Sequence, residues 1–491
     1  MILVNGVNSV GLHEAHPDTG FNELGEITSA AGTKAANARG QWSWAIFEWA
    51  RNPYVILITI YIFSPYFSNN VVGDPVKGQA VWGQINSIAG IVIALLAPFL
   101  GAIADSGGRR KPWIAFFVAI MAPAIFALWW AMPNNEGLSL TAITLLIILI
   151  TVAFEFSAVF HNSMLPSVAP HDRIGFLSGL GLALGNAGAL LILVFMLYAF
   201  MLPGVVPWSF LPSHALFGID VSQFENSRIS GPITAIWLVV FTLPLLFFTP
   251  DIKVTRKLSP VQAINQGIHG VWRTLKSLRD YRNVAAYLIA RMFYNDGQTA
   301  VLIFGGVYAA GVFKWGPLTL TIYGIVLSIF AVGGGIIGGW LDDHLGSKRA
   351  IMVSIGCTSL GILMAVSITP SELFFMPFDP ATPHIWTLPF FATVPELTYL
   401  IVVVLIAIFI TAAYANSRTM LARIAPVSKM SEFFGLYSLS GTATSFMGPL
   451  LVGFATSISH SQRIGFASIL ILMAIGLFGM LFVSEGRAEA V

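Results

Sequence analysis

Apolar residues in this chain gather into runs of membrane-crossing length, separated by short polar stretches. A hydrocarbon core about 30 Å thick takes about 20 helical residues to cross. Runs of that order occupy roughly 42–66, 82–104, 112–132, 140–161, 174–202 and 231–249, then roughly 284–312, 318–341, 349–368, 397–415, 433–457 and 464–484. The pattern predicts twelve transmembrane helices and an all-α integral membrane protein. The stretch of about 250–283 is different. Ser259 as N-cap and Pro260 in the first turn open a segment in which Val261, Ile264, Ile268, Val271, Leu275 and Leu278 recur at three- and four-residue spacing. Arg273, Lys276, Arg279 and Arg282 decorate its end. That predicts an amphipathic helix at the membrane surface, or equally a linker docked on the bundle.

The twelve runs divide into two similar sixes. Gly101 to Lys111 (GAIADSGGRRK) and Gly339 to Arg349 (GWLDDHLGSKR) both read G-x-x-x-D-x-x-G with a basic cluster, each at the end of an apolar run. Trp82-Gly83 and Trp315-Gly316 open the second and eighth runs, and Asn52 has a counterpart in Asn295. A sequence written twice in this way predicts two pseudo-symmetric six-helix bundles with a substrate site near midplane between them. The expected organisation is therefore a tail (1–41), an N-terminal bundle (42–250), a linker (251–283), a C-terminal bundle (284–484) and a short second tail (485–491).

Charge placement gives an orientation. Apart from Arg51 and Arg291 inside the spans, only Lys77, Arg228, Lys314 and Arg463 fall on the side away from the termini and the two repeated loops. The positive-inside rule then predicts that both termini are cytoplasmic. The first forty residues carry no basic n-region followed by an apolar core, so they read as a mobile polar tail rather than a signal peptide.

Composition excludes other classes. Hydrophobic residues make up 56% and charged residues 10% of the chain, too few charges to solvate a soluble surface of this size. A net charge of +2 gives no basic field for nucleic acid, and the single Cys357 supports neither a disulfide framework nor a metal cluster. No phosphate-binding loop, H-E-x-x-H or G-x-S-x-G appears, so ATP hydrolysis and hydrolase chemistry have no anchor and the chain does not read as an enzyme. Gly181 with Gly185, and Gly334, Gly335, Gly338 and Gly339, have the spacing that lets membrane helices approach closely.

The exceptions to the apolar pattern are the candidate site. A charge at the bilayer centre costs roughly 2.5–3.5 kcal/mol on insertion scales, so it persists where it is paired or lines a wet path. Glu48, Arg51, Glu155, Arg291 and Asp296 are the intramembrane charges. Glu48, Arg51, Asn52 and Val55 share one face of the first span, and Arg291, Tyr294, Asn295 and Gln298 share one face of the seventh. The expectation is that these faces meet across a cavity. Arg51 and Arg291 would receive a substrate carboxylate, or pair with Glu155 and Glu48 when the site is empty. Glu155 or Asp296 would carry a coupling proton. His161, near the end of its run, reads as an interfacial polar residue rather than a proton relay.

Four further segments carry a specific resemblance: Trp44 to Tyr54 (WAIFEWARNPY), Glu155 to Pro166 (EFSAVFHNSMLP), Ala290 to Gly297 (ARMFYNDG) and Glu432 to Pro449 (EFFGLYSLSGTATSFMGP). With the doubled loop, they resemble the vacuole-effluxer-like, autophagy-related branch of the major facilitator superfamily and its bacterial relatives, over about residues 42–484. Relatives commonly read Asp-Trp-Ala-Asn where this chain has Glu48-Trp49-Ala50-Arg51. The resemblance implies the twelve-helix major facilitator fold and a secondary transporter working by alternating access, in a bacterial inner membrane. Fungal members export amino acids, which makes an amino acid or similar zwitterion the expected cargo and a proton gradient, or a sodium or other ion gradient, the expected drive. No other cofactor is implied. The partners implied are a small-molecule substrate and the lipid bilayer, with the chain a monomer. Peptides, cell-wall fragments or sugars are the alternative cargo, and a non-transporting receptor the alternative class. The resemblance also assigns gating to Asp105, Arg109 and Arg110, with Glu432 as partner, and a second-half version of that latch to Asp343 and Lys348 near Asp172. The same basic residues also serve to hold the loops in the cytoplasm.

Overall fold

The computed structural model describes residues 29, 34–105, 109–133, 136–170, 173–251, 278–425, 433, 436, 437, 440, 441 and 443–485. Helix α1 (Ala38–Pro53) opens on Asn37, whose side-chain oxygen accepts from the Gly40 amide at 2.9 Å. Proline then ends regular geometry, and the chain continues through wide π-helical turns (Tyr54–Tyr61), a short turn (Phe63–Tyr66) and a second wide segment (Phe67–Val71). The first span is thus longer and more broken than its apolar run.

The N-terminal half continues with α2 (Pro75–Asp105), α3 (Lys111–Ala127), α4 (Leu140–Val168), α5 (Ile174–Met196) and α6 (Ser230–Phe248). The C-terminal half holds α7 (Arg282–Phe313), α8 (Pro317–Leu345), α9 (Ser347–Val366), α10 (Val394–Ile424), α11 (Met447–Ser459) and α12 (Ile469–Leu481), the last led in by Gln462–Ala467. α4 is capped by Ser139 and α10 by a Thr393–Glu396 capping box. Among the described residues nine helices are long and apolar enough to cross a membrane. The other three expected spans are the broken first one, α7 with its buried Arg291 and Asp296, and α11 behind the non-helical turn 443–446.

The two halves repeat one packing plan. α1 lies on α5 and α6 as α7 lies on α11 and α12, and α4 lies on α2 and α3 as α10 lies on α8 and α9. Gly334 and Gly338 let α8 approach the α10 backbone at Ile408 and Ala412, while Gly335 and Gly339 face open space. Only one of the two overlapping glycine pairs is a packing seam.

The halves meet mainly through α2 against α11 and the broken end of the first span against α7. Contacts concentrate at the end away from the termini. Gly83 faces Gly453 there, and Gly306 sits against the Ile60 carbonyl. A buried amide clasp crosses the same region. Gln79 Nε2 donates to Thr456 Oγ1 at 2.8 Å and to the Gln462 carbonyl at 3.1 Å, and Gln462 Nε2 donates to the Pro75 carbonyl at 2.9 Å. Tyr61 and Tyr323 stack edge-on beside it at 5.7 Å.

The structure adds detail to two sequence expectations. The tail before α1 is partly docked: Ser29 is buried and bridges to Pro170, and the Ala36 amide donates to the Val168 carbonyl at 3.2 Å. The all-α architecture includes a small antiparallel pair, Glu372–Leu373 with Met376–Pro377, in the loop before α10. Arg463 pins that loop through Glu372 at 2.7 Å. The expected amphipathic helix lies outside the described residues, except for its end, a tight turn at Leu278–Asp280.

Candidate functional site

In the N-terminal half, mid-span α1 and α4 bring four charged or titratable groups together. Arg51 Nη1 lies 3.2 Å from Glu48 Oε1, one turn back on the same helix. Its guanidinium covers the Phe154 ring at 4.0 Å, with only 8% of the residue exposed. Glu155, on α4, is partly exposed and acts electrostatically on both Arg51 and Glu48. His161 is the correction here. It is fully buried rather than interfacial, stacked on Trp44 at 4.4 Å, with Nδ1 3.4 Å from Glu48 Oε1. Trp44 and His161 also exchange hydrogen bonds through their backbone carbonyls, at 3.0 and 2.9 Å. Asn52 packs beside Gly185 of α5, where a Cβ would come within 3.1 Å of its amide nitrogen. The small-residue face of α5 therefore exists to seat the polar face of α1.

The C-terminal half builds a different site from the equivalent helix. Arg291 of α7 is 6% exposed and donates to the Tyr437 carbonyl at 2.8 Å, Ser440 Oγ at 2.7 Å and Asn295 Oδ1 at 3.4 Å. Its guanidinium stacks on the Tyr437 ring at 3.5 Å. All of these partners are neutral, and Nε is buried without a partner. Among the described residues no carboxylate pairs with Arg291. Tyr294 is committed elsewhere, to Ser417 Oγ at 2.8 Å, where the Tyr287 hydroxyl also donates to the Ser417 carbonyl.

Asp296 looks away from Arg291. Its Oδ2 accepts from the Gly448 amide at 2.8 Å, at the first turn of α11. A carboxylate against the positive end of a helix needs no other function to explain its burial. The pairings expected of the empty site, Arg51 with Glu155 and Arg291 with Glu48, are not the ones the structure makes. Arg51 pairs with Glu48 and feels Glu155. Arg291 pairs with neither, and each arginine's hydrogen bonds and ion pairs stay within its own half. Two cavities lie at the junction of the halves, a small one behind Tyr61 and Tyr323 and one of about 380 Å³ lined by Tyr66, Asn69, Asn70, Lys314 and Trp315. Neither contains Arg51 or Arg291.

The repeated loops also differ from expectation. Arg109 is exposed. Arg110 is buried, with Nε donating to Ser163 Oγ at 3.0 Å. The Arg110 and Lys111 amides donate to Asp251, which closes the start of α3 from the end of α6. In the second half Asp343 is exposed, and its neighbour Asp342 takes the buried position. Asp342 pairs with Arg423 Nη2 at 2.7 Å and accepts from Ser347. Arg423 also meets Glu485 at 2.9 Å, and Glu485 accepts from the Ser347 amide at the start of α9. Among the described residues Lys348 reaches only the Leu481 carbonyl, at 3.2 Å. A run of two aspartates admits two registers, and the helix turn at α8 selects the earlier one. These interactions join helices of one half, not opposite halves. The Asp105 side chain, Asp172 and Glu432 lie outside the described residues.

Sequence reasoning missed Asp251, Glu485, Arg423 and Ser440. The first two act as paired helix caps from the chain end of each half, a symmetry visible only once the folds are overlaid. The family described as vacuole effluxer Atg22 like matches residues 70–490. The chain belongs to that Atg22-like family. It is 27% identical over 451 residues, 90% of this chain and 94% of the relative, to the uncharacterized MFS-type transporter YxiO of Bacillus subtilis. It is 24% identical to autophagy-related protein 22 of Yarrowia lipolytica, covering 64% of this chain and about half, 51%, of that longer protein. Among solved structures it is similar to a D-xylose-proton symporter, with a TM-score of 0.63, 11% identity and coverage of 92% and 99% of the two chains. It is also similar to the nucleoside transporter NupG, with a TM-score of 0.58, 14% identity and coverage of 90% and 96%. This member of the Atg22-like family is a multi-helix integral membrane protein with the major facilitator fold.

Proposed function

We propose that the protein is a secondary transporter that moves a small carboxylate-bearing solute, an amino acid or similar zwitterion, by alternating access with proton coupling. The observation that carries this reading is Arg291. A buried guanidinium without a counter-anion is costly, because the partial charges of neutral acceptors and one aromatic face offset only part of its lost hydration. An arriving carboxylate supplies the missing charge, and the planar fork of arginine binds it through two parallel hydrogen bonds. The fold supports the same reading, since the equivalent helices of the two halves line the path between them in a major facilitator arrangement.

The N-terminal cluster suits the coupling ion. Glu48 and Glu155 are partly exposed and share one arginine between them, so one negative charge is left over for a proton. Closure at the end away from the termini, through the Gln79 clasp, corresponds to a state accessible from the termini side, which the positive-inside pattern makes the cytoplasm. Membership in a family described as effluxers, and the transporters named among its relatives, support transport over a purely receptor role.

Purified protein in liposomes tests the proposal. Labelled amino acids, peptides and sugars are offered with and without an imposed pH or sodium gradient. Accumulation of an amino acid that collapses with the pH gradient is the expected result. Movement of sugars alone, or of nothing under any gradient, contradicts it.

A further inference from the structure

We infer that Glu48 and His161 together form the proton-binding site, with one proton held between them. The site depends on the transporter reading only for its use; its chemistry follows from hydrogen-bond directions. His161 Nε2 lies 2.9 Å from the Trp44 backbone carbonyl. A carbonyl oxygen only accepts, so Nε2 carries the hydrogen and donates. The neutral ring then has its lone pair on Nδ1. That nitrogen is buried, has no hydrogen-bond partner, and sits 3.4 Å from Glu48 Oε1. A lone pair this close to a carboxylate oxygen, with no hydrogen between them, is repulsive. The pair is stable when one proton occupies the gap, either as imidazolium beside carboxylate or as imidazole beside carboxylic acid.

The surroundings hold this geometry in place. Trp44 and Phe47 clamp the imidazole from α1, at 4.4 and 4.8 Å between ring centres. The charged groups facing the pair are Arg51 on α1, 3.2 Å from the same Glu48 oxygen, and Glu155 on α4, which acts on both Arg51 and Glu48. α5 presents Gly181 and Gly185 to Glu48 and adds no charge. Arg51 therefore competes with the proton for one carboxylate oxygen. When Arg51 turns toward Glu155 or an incoming anion, Glu48 keeps the proton with His161. When Arg51 returns to Glu48, the proton is freed. Each step transfers a single proton between this pair and water and breaks no covalent bond.

Two measurements test the site separately from the transport reading. Protein labelled with ¹⁵N-histidine is titrated in detergent, with the His161 signal assigned by loss in H161Q. The expected spectrum has Nε2 protonated throughout and an Nδ1 signal whose titration moves in E48Q. A His161 signal that titrates identically in wild type and E48Q overturns the shared proton, whether or not any solute is transported. In liposomes, H161Q keeps a donor for the Trp44 carbonyl but cannot hold a proton. It is expected to retain substrate counterflow within about threefold while losing pH-driven accumulation, and E48Q is expected to do the same. Accumulation by both variants at the wild-type level overturns the coupling role. Loss of counterflow as well as accumulation in both variants overturns it too, because the pair would then be part of solute binding.

Discussion

Helices α1 and α7 occupy equivalent places in the two halves and each buries an arginine, yet the two sites are chemically unlike. Around Arg51 there is acid to spare: Glu48 in contact, Glu155 within electrostatic reach, and a buried imidazole behind them. Around Arg291 there are backbone, hydroxyl, amide and phenol groups and, among the described residues, no acid. Among the described residues the Arg51 site thus holds surplus negative charge and the Arg291 site surplus positive charge. Surplus positive charge suits a solute anion and surplus negative charge suits a proton.

The contrast is sharpened most by a pair of alanine substitutions. Arg291→Ala is expected to lower uptake by about a hundredfold or more, since removing a buried charge from a desolvated pairing costs roughly 2–5 kcal/mol. Circular dichroism and gel filtration should remain those of wild type. Arg51→Ala should keep substrate binding within an order of magnitude but alter its pH dependence. Equal losses of binding in both variants would erase the distinction between the halves.

Next in size is the clasp at the far end. Gln79→Ala removes buried hydrogen bonds that cross from α2 to α11 and to the lead-in of α12, at a cost of about 1–3 kcal/mol. The population open at that end should rise by roughly five- to a hundredfold. Labelling of a cysteine placed at Asn70, in a Cys357→Ser background, by an impermeant reagent reports it. An unchanged labelling rate would mean the clasp is not what holds that end shut.

Asp296 separates structural from functional acids. Asp296→Ala should lower stability by about 0.5–2 kcal/mol, the range of a lost helix cap, seen as a fall in Tm. Transport at the reduced temperature should persist, unlike that of Arg291→Ala. The smallest effect belongs to the doubled aspartate. Asp342→Asn weakens a half-exposed ion pair with Arg423 and should cost about 1 kcal/mol or less, while Asp343→Asn should leave Tm unchanged. The reverse order would restore the register read from the sequence.

Much of this was legible in the residues because membranes punish charge. A carboxylate or guanidinium within an apolar run is conspicuous, so Glu48, Arg51, Glu155, Arg291 and Asp296 could be picked out directly. Their partners were not legible. His161 stands two turns before the end of α4, and only the packing of α4 on α1 puts its ring against Trp44 and Glu48. Tyr437 and Ser440 contact Arg291 across about 150 residues, and one of those contacts uses a backbone carbonyl that every residue carries. The contact of Asp296 with α11 was not legible either, because that helix begins anew after a break and no periodicity announced an N-terminus there. The span count survived these errors. It failed in detail at the first and eleventh spans, where proline and a non-helical turn interrupt the helix.

Direct binding of an acid and its amide is the measurement closest to the central claim. Wild-type protein and Arg291→Ala are each titrated with the transported amino acid and with the same molecule amidated at its carboxyl group. The account predicts that wild type binds the acid and discriminates against the amide by about a hundredfold, and that the variant loses both the affinity and the discrimination. Tight, selective binding of the acid by Arg291→Ala would contradict it.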